Sequence, residues 1–277
     1  MLLSHPQVCG SGGEFQQVLR RQAGDPLTRL IVKLVRYVPI MVRERSDVFR
    51  PRNWSPRGPL TEFTRHRIDR VLYAGKIRAR KAGQNQFKAE NEPYLDDEIA
   101  NARVLSKLVD GNIFLSQALC SMYPDATFFG LVRNGFAVCE GHIRRGANVR
   151  QIAREYSIGC QRMIADEKEI GSYHVLRYED CIAEPVQSLQ KICRLAKLDI
   201  SSIKKVRLET KQVISQSGAH EYVQGASDKV VVWYTLEEMK DHFRSDANKN
   251  QIARLTPEQK KEIRAICRES LHHFGYD

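Results

Sequence analysis

The sequence has no apolar run approaching the roughly 18 residues of a membrane-spanning helix, so no such span is expected. No basic-then-apolar secretory leader follows Met1, and the chain is read as cytoplasmic. Its seven cysteines, at 9, 120, 139, 160, 181, 193 and 267, are odd in number and form no CxxC pair. Neither a zinc site nor a disulfide framework follows from such a set, and a reducing compartment is expected. Cys120, Cys139 and Cys193 sit among apolar residues, where a free thiol acts as a small hydrophobe. There is no GxxxxGK followed by Ser or Thr, which argues against a P-loop nucleotide kinase. No RNP or zinc-finger pattern appears either, so nucleic acid is a disfavoured partner. Acid is in shorter supply than base. With 33 Asp and Glu against 44 Lys and Arg, the formal charge is +11 and the pI about 9.4. That balance favours polyanions such as a nucleotide, an acidic peptide or a glycan, or it is a solvated basic surface.

What is present is organised around Tyr123 to Arg145, YPDATFFGLVRNGFAVCEGHIRR. Tyr123-Pro124-Asp125 is a turn signal, because Pro fixes φ and Asp bonds nearby backbone. Ala126 to Val132 is short, apolar and rich in strand formers, which predicts a strand buried on both faces. It ends at Arg133-Asn134-Gly135, a charge and a turn at a strand's carboxyl end, the edge where open α/β sheets bind ligands. Phe136 to Arg145 then reads as a helix carrying Arg144 and Arg145 at its far end. Guanidinium groups near such an edge suit a phosphate ester, which Arg holds with two parallel hydrogen bonds. A strand-capping surface arginine is the plainer alternative.

Strand, Arg, turn, helix and a second Arg twelve residues on resembles the 3′-phosphate-binding segment of the sulfotransferase family. Those enzymes use 3′-phosphoadenosine-5′-phosphosulfate (PAPS) as sulfuryl donor. The family pattern is Arg-Asp-Pro or Arg-Asp-Gly with a Ser eight residues after the Arg. Here Asn134 stands for the Asp and Gly141 for the Ser. A second segment, Tyr173 to Arg177 ending in Tyr178-Glu179-Asp180, is similar to the family's strand followed by Tyr-Glu-Asp. Pro185 and an amphipathic helix through Leu198, with Leu189, Ile192 and Leu195 inward, continue that likeness. Strand, helix, strand, helix in this order predicts a parallel crossover. The resemblance implies that Arg133, Arg145 and Tyr178 hold the cofactor.

Met1 to Pro6 reads as the last turn of a helix closed by His5-Pro6, since the residue before Pro disfavours helix. In the family a strand and a phosphosulfate loop precede that helix, and the resemblance begins at the helix's end. Cys9 to Gly13 is glycine-rich, but with no Lys or Arg inside it and no strand before it a flexible turn is predicted. Glu14 then opens a helix, EFQQVLRRQ. In the tyrosylprotein type a Gly-Glu soon after His-Pro resembles the general base, which implies that role for Glu14. Proton removal from the acceptor hydroxyl requires such a group. Alternatively Glu14 is a favourable carboxylate at a helix start, and His5 is the lower-ranked candidate base.

Apolar residues at 27, 30, 31, 34, 35, 38 and 41 predict a helix over Pro26 to Arg45 with a core-facing stripe, kinked or ended at Pro39. Twelve Lys or Arg lie between Arg43 and Lys81, where a Pro-rich loop gives way to a helix over Leu60 to Arg80. This basic stretch is a candidate acceptor region or a solvated face. Glu98 to Val109 and Asn112 to Met122 are predicted helices, as is Val149 to Ile170. Lys107, five residues before Asn112, is the nearest match to a family Lys that neutralises the leaving phosphate. Val230 to Tyr234 reads as a strand. Ile252 to Pro257, a helix and Phe274-Gly275-Tyr276 resemble the family's terminal pattern, which makes Lys249 and Arg254 candidate phosphate contacts. Thr256, Pro257 and Gly275 suit the two ends of that helix.

The expectation is one α/β domain over 1–277, a parallel sheet flanked by helices in a P-loop-NTPase-like sulfotransferase fold lacking its first strand, with 43–95 a variable basic insertion. The implied activity is sulfuryl transfer from PAPS to a hydroxyl of a tyrosine or glycan, without a metal. The alternative is a non-catalytic sulfotransferase-like protein that binds a nucleotide or a partner.

Overall fold

The computed structural model describes residues 1–15, 26–32, 34–35, 60–81, 94–210, 212–214, 220–222, 230–239, 243 and 248–276. In chain order the elements are β1 (Val8–Glu14), α1 (Pro26–Val32), α2 (Glu62–Lys81), α3 (Asp96–Asn101), β2 (Arg103–Lys107) and α4 (Ser116–Met122). Next come β3 (Phe128–Val132), α5 (Gly135–Ile143), α6 (Val149–Glu169), β4 (Tyr173–Arg177), α7 (Tyr178–Ala183) and α8 (Pro185–Leu195). The last are β5 (Val206–Thr210), β6 (Gln212–Ile214), β7 (His220–Tyr222), β8 (Val230–Tyr234), α9 (Lys249–Ala253) and α10 (Pro257–His273). The chain is mixed α/β, mostly helical, with parallel strand pairs. It divides into two compact units, one of 1–24, 66–107 and 184–243, the other of 25–65, 108–183 and 244–277.

The first unit is built on β1 and β2, which run parallel with Val8 opposite Arg103 and Glu14 opposite Lys107. This corrects three expectations. The glycine-rich run is a strand rather than a turn, and Glu14 ends that strand instead of opening a helix; Phe15 after it is helical and buried, and the rest of EFQQVLRRQ, from Gln16 on, lies outside the described residues. The helix predicted over Glu98 to Val109 stops at Asn101, and Lys107 ends a strand. Packing explains the outcome. A Cβ on Gly75 of α2 would lie 2.4 Å from the carbonyl oxygen of Ser11, so helix and strand backbones meet directly. Small residues in both elements permit that approach, and tertiary contact overrides local propensity. Beside it Lys76, 4% exposed, donates to the carbonyls of Ala100 (2.7 Å) and Ala102 (2.8 Å) where α3 ends. One lysine of the basic stretch is therefore internal. The start of the chain is a 3₁₀ turn at Leu2–Ser4, and α8 ends at Leu195 ahead of Lys197 in left-handed backbone (φ 53°). Strand β8 is found where predicted, antiparallel to β5, and β6 pairs with β7.

The second unit centres on β3 and β4, parallel and in register from Phe128 opposite Tyr173 to Val132 opposite Arg177. The crossover between them runs through α5 and α6. Val132, Phe136, Cys139, Ile152, Cys160, Ile263 and Leu271 form its core with other buried side chains. The α10 helix is capped as its sequence predicts: Thr256 and Gln259 form a capping box, Pro257 follows, and Gly275 has positive φ (66°). Strand β3 is not buried on both faces as expected. Leu131 is 57% exposed, because among the described residues β3 pairs only with β4. The helix predicted from Asn112 is 3₁₀ over Asp110–Leu115 before α4 begins. The stripe on α1 is also turned outward, with Leu27, Leu30 and Ile31 each more than half exposed. Periodicity marks an apolar face without saying what covers it. The stripe's last two positions, 38 and 41, lie outside the described residues, as do 43–59 and 82–93 of the basic region.

Candidate functional site

In the second unit the register of β3 with β4 sets the geometry. Val132 lies opposite Arg177, so the residues that follow, Arg133 and Tyr178, emerge together at the carboxyl edge. The Arg133 guanidinium carbon is 4.8 Å from the Tyr178 ring centroid, a cation–π contact. Arg133 Nε donates to Asn248 Oδ1 at 2.8 Å, and an Nη donates to Gln251 Oε1. The Arg133 carbonyl accepts from the Tyr156 hydroxyl at 2.9 Å. Tyr156 in turn packs where a Cβ on Gly135 would stand, 2.7 Å from Cε1, so any larger residue at 135 would push the Tyr156 ring aside. Asn134 caps α5: its Oδ1 accepts from the backbone N–H groups of Phe136 (3.0 Å) and Ala137 (3.4 Å). Arginine, cap and glycine thus form one turn, each held by a different contact.

Glu179 anchors the same edge. Its carboxylate accepts from the Asn134 N–H at 2.9 Å, from Asn248 Nδ2 and from the Tyr276 hydroxyl. Burial works to raise its pKa, but these hydrogen bonds outweigh burial and hold it below the usual carboxylate range. The Arg177 guanidinium carbon lies 4.8 Å from the Tyr276 ring centroid, which ties the last residues of the chain to β4. Asn248, Gln251, Glu179 and Tyr276 were not singled out by sequence. Glu179 and Tyr276 sit inside quoted patterns, whereas Asn248 and Gln251 are ordinary polar residues whose neighbours only the fold reveals.

The remaining candidates of this unit lie along the seam of α5 with α9. Arg145, exposed, follows α5, whose nine residues span about 14 Å, and its Nε donates to the Gly141 carbonyl at 2.8 Å. Arg254 follows α9 and lies 3.6 Å from Oε1 of Glu140, an acid only 3% exposed that also pairs with Arg144 at 3.5 Å. Lys249 begins α9, also exposed. Arg133 and Tyr178 touch, while Arg145 and Arg254 belong to the other end of α5.

In the first unit Glu14 and Lys107 are register partners at the carboxyl ends of parallel β1 and β2, a juxtaposition that neither sequence motif implied. Lys107 is exposed. His5 is fully buried; its Nδ1 accepts from the Gln7 N–H at 3.1 Å and its Nε2 lies 3.0 Å from the Asp199 carbonyl. Since a carbonyl only accepts, Nε2 carries the proton, and burial lowers the pKa of this neutral ring. His5 thus ties the chain's first turn to the segment after α8.

Residues 1–202 match the family model described as "Sulfotransferase family", and residues 160–275 match that of the "Sulfotransferase domain". No curated protein is similar enough in sequence to match. Among solved structures, the sulfotransferase domain from the curacin biosynthetic pathway is 12% identical, with a TM-score of 0.42 over 86% of this chain and 77% of that one. The sulfotransferase domain of the Synechococcus PCC 7002 olefin synthase is 14% identical, with a TM-score of 0.45 over 100% of this chain and 88% of that one.

Proposed function

The chain belongs to the sulfotransferase family, and on that premise we propose that it moves a sulfuryl group from PAPS to a hydroxyl acceptor. The observation that carries the reading is the side-by-side emergence of Arg133 and Tyr178 from register-matched parallel strands. A guanidinium has five N–H donors and no acceptor, so the site suits a phosphate, and Tyr178 offers an aromatic face beside it. Arg133 and Tyr178 hold the nucleotide, and Arg145, Lys249 and Arg254 add positive charge along the α5–α9 seam. PAPS supplies an activated sulfuryl group. Glu14 takes the proton of the acceptor hydroxyl as its oxygen bonds to sulfur. Lys107 stabilises the charge left on the departing phosphate oxygen, the bond to sulfur having broken. Fixed positive charge aimed at that oxygen lowers the barrier more than any other contribution. An excess of base over acid fits an acidic peptide or an acidic glycan as the acceptor's carrier.

The test is thermal. Adenosine 3′,5′-bisphosphate should raise the melting temperature of the protein, and Arg133→Ala should abolish that rise while leaving the unliganded melting temperature within a few degrees. An unchanged rise in the variant removes Arg133 from the site, and no rise in the parent protein rejects the nucleotide reading altogether.

A further inference from the structure

The apolar stripe of α1 is the one predicted core face that the fold turns to solvent. Eleven large hydrophobic side chains are exposed among the described residues, and five of them fall between positions 27 and 35. Leu27 is 64% exposed, Leu30 and Ile31 51% each, and Leu34, just beyond the helix, 53%. Spacings of three and four residues set these four on one helical face. Single surface leucines need no explanation, but a contiguous aliphatic face marks an interaction surface.

Charge identifies the occupant. From Pro26 to Arg45 the sequence carries Arg29, Lys33, Arg36, Arg43 and Arg45 against one acid, Glu44. In helical spacing Arg29, Lys33 and Arg36 fall opposite the stripe. A second copy of the chain fits poorly. A two-fold interface sets the same patch on both subunits, so bases would meet bases. The four side chains of the stripe also include none of the Trp, Tyr or Arg anchors on which protein interfaces depend. An anionic lipid surface meets both needs, with acyl chains for the stripe and negative headgroups for the bases.

We propose that α1 is an interfacial helix that docks the protein on an anionic membrane surface, with Leu27, Leu30, Ile31 and Leu34 entering the lipid. The helix lies on the bilayer rather than across it. Its seven residues span about 10 Å, against roughly 30 Å of hydrocarbon core. Docking uses no residue of the nucleotide site, so the two readings stand or fall separately.

The experiment is co-sedimentation of the full chain with vesicles of phosphatidylcholine alone and of phosphatidylcholine mixed with phosphatidylserine. The mixed vesicles should bind the protein about tenfold more tightly than the neutral ones, and added salt should narrow the difference. The double variant Leu30→Ser, Ile31→Ser keeps the net charge, yet it should bind the mixed vesicles about tenfold more weakly. Its melting temperature should match the parent's, because both side chains already face water. Undiminished binding by the variant would mean that net charge alone holds the protein, and the proposal falls. Equal binding to both kinds of vesicle, or to neither, overturns it as well. A clearly lower melting temperature in the variant would show that protein covers the face. A parent that sediments as a dimer, with the variant a monomer, would give the face to a second copy instead.

Discussion

Asn248 stands between Arg133 and Glu179 and bonds to both. Its amide is oriented by necessity, since arginine only donates and an ionised carboxylate only accepts. The chain Arg133–Asn248–Glu179 is strongest while Glu179 is ionised, since hydrogen bonds to a carboxylate are stronger than those to a neutral acid, and a lowered pKa is what its donors produce. The sign of the consequence follows from linkage. A carboxylate whose folded pKa lies below its unfolded value of about 4.3 adds stability above that value, and loses it as pH falls through the folded value. Stability measured by urea denaturation should drop as the pH is lowered from about 5 toward 3. Glu179→Gln should be less stable at neutral pH by about 1–3 kcal/mol, the scale of losing charge-assisted hydrogen bonds. Its stability should also fall less steeply with acid. Parallel pH profiles for the two proteins would show that Glu179 is not the group being titrated.

At the scale of elements, the meeting of α2 with β1 gives a test in which two effects oppose each other. Gly75→Ala gains up to about 1 kcal/mol of helix propensity but forces a methyl to within 2.4 Å of a strand carbonyl. Overpacking of this kind costs about 1–3 kcal/mol, and a backbone atom in a paired strand cannot move aside as a side-chain tip can. Net destabilisation is expected. A stabilised Gly75→Ala protein would show that helix and strand do not meet there. This contact also explains what the sequence hid. Strands β3 and β4 were legible because their hydrophobic runs and the Arg133 and Tyr178 that end them are local signals. So were α6 and α10, through periodicity and, for α10, the Thr256 cap. By contrast β1 (VCGSGGE) has three glycines and a serine at its middle, residues that form strands poorly but keep it thin against α2, and β2 is disguised by the acidic helix start that precedes it. The candidate site divides in the same way. Arg133 and Tyr178 announce themselves next to a strand, whereas Gln251 acquires meaning only when α9 folds back along α5, and the pairing of Glu14 with Lys107 only when β1 meets β2.

On the scale of the whole molecule the net charge of +11 is either a field that draws in an anion or a solvated surface with no part in binding. The two differ in their response to salt. The second unit places Arg144, Arg145, Lys249 and Arg254 along the α5–α9 seam, all four exposed, while Arg133 is half-buried against Tyr178. Exposed charges act over a Debye length, which shrinks from about 10 Å at 0.1 M salt to about 3 Å at 1 M. A guanidinium in hydrogen-bonding contact with its ligand is far less sensitive to that change. The dissociation constant for adenosine 3′,5′-bisphosphate should therefore rise about tenfold over this range without binding being lost, the surviving part belonging to Arg133. Arg254→Ala should flatten the salt dependence and weaken binding chiefly at the low-salt end. Arg133→Ala should weaken it at every salt concentration. An affinity that does not change between 0.1 and 1 M salt would assign the excess of base to a solvated surface and leave recognition to the contacts at the β3–β4 edge alone.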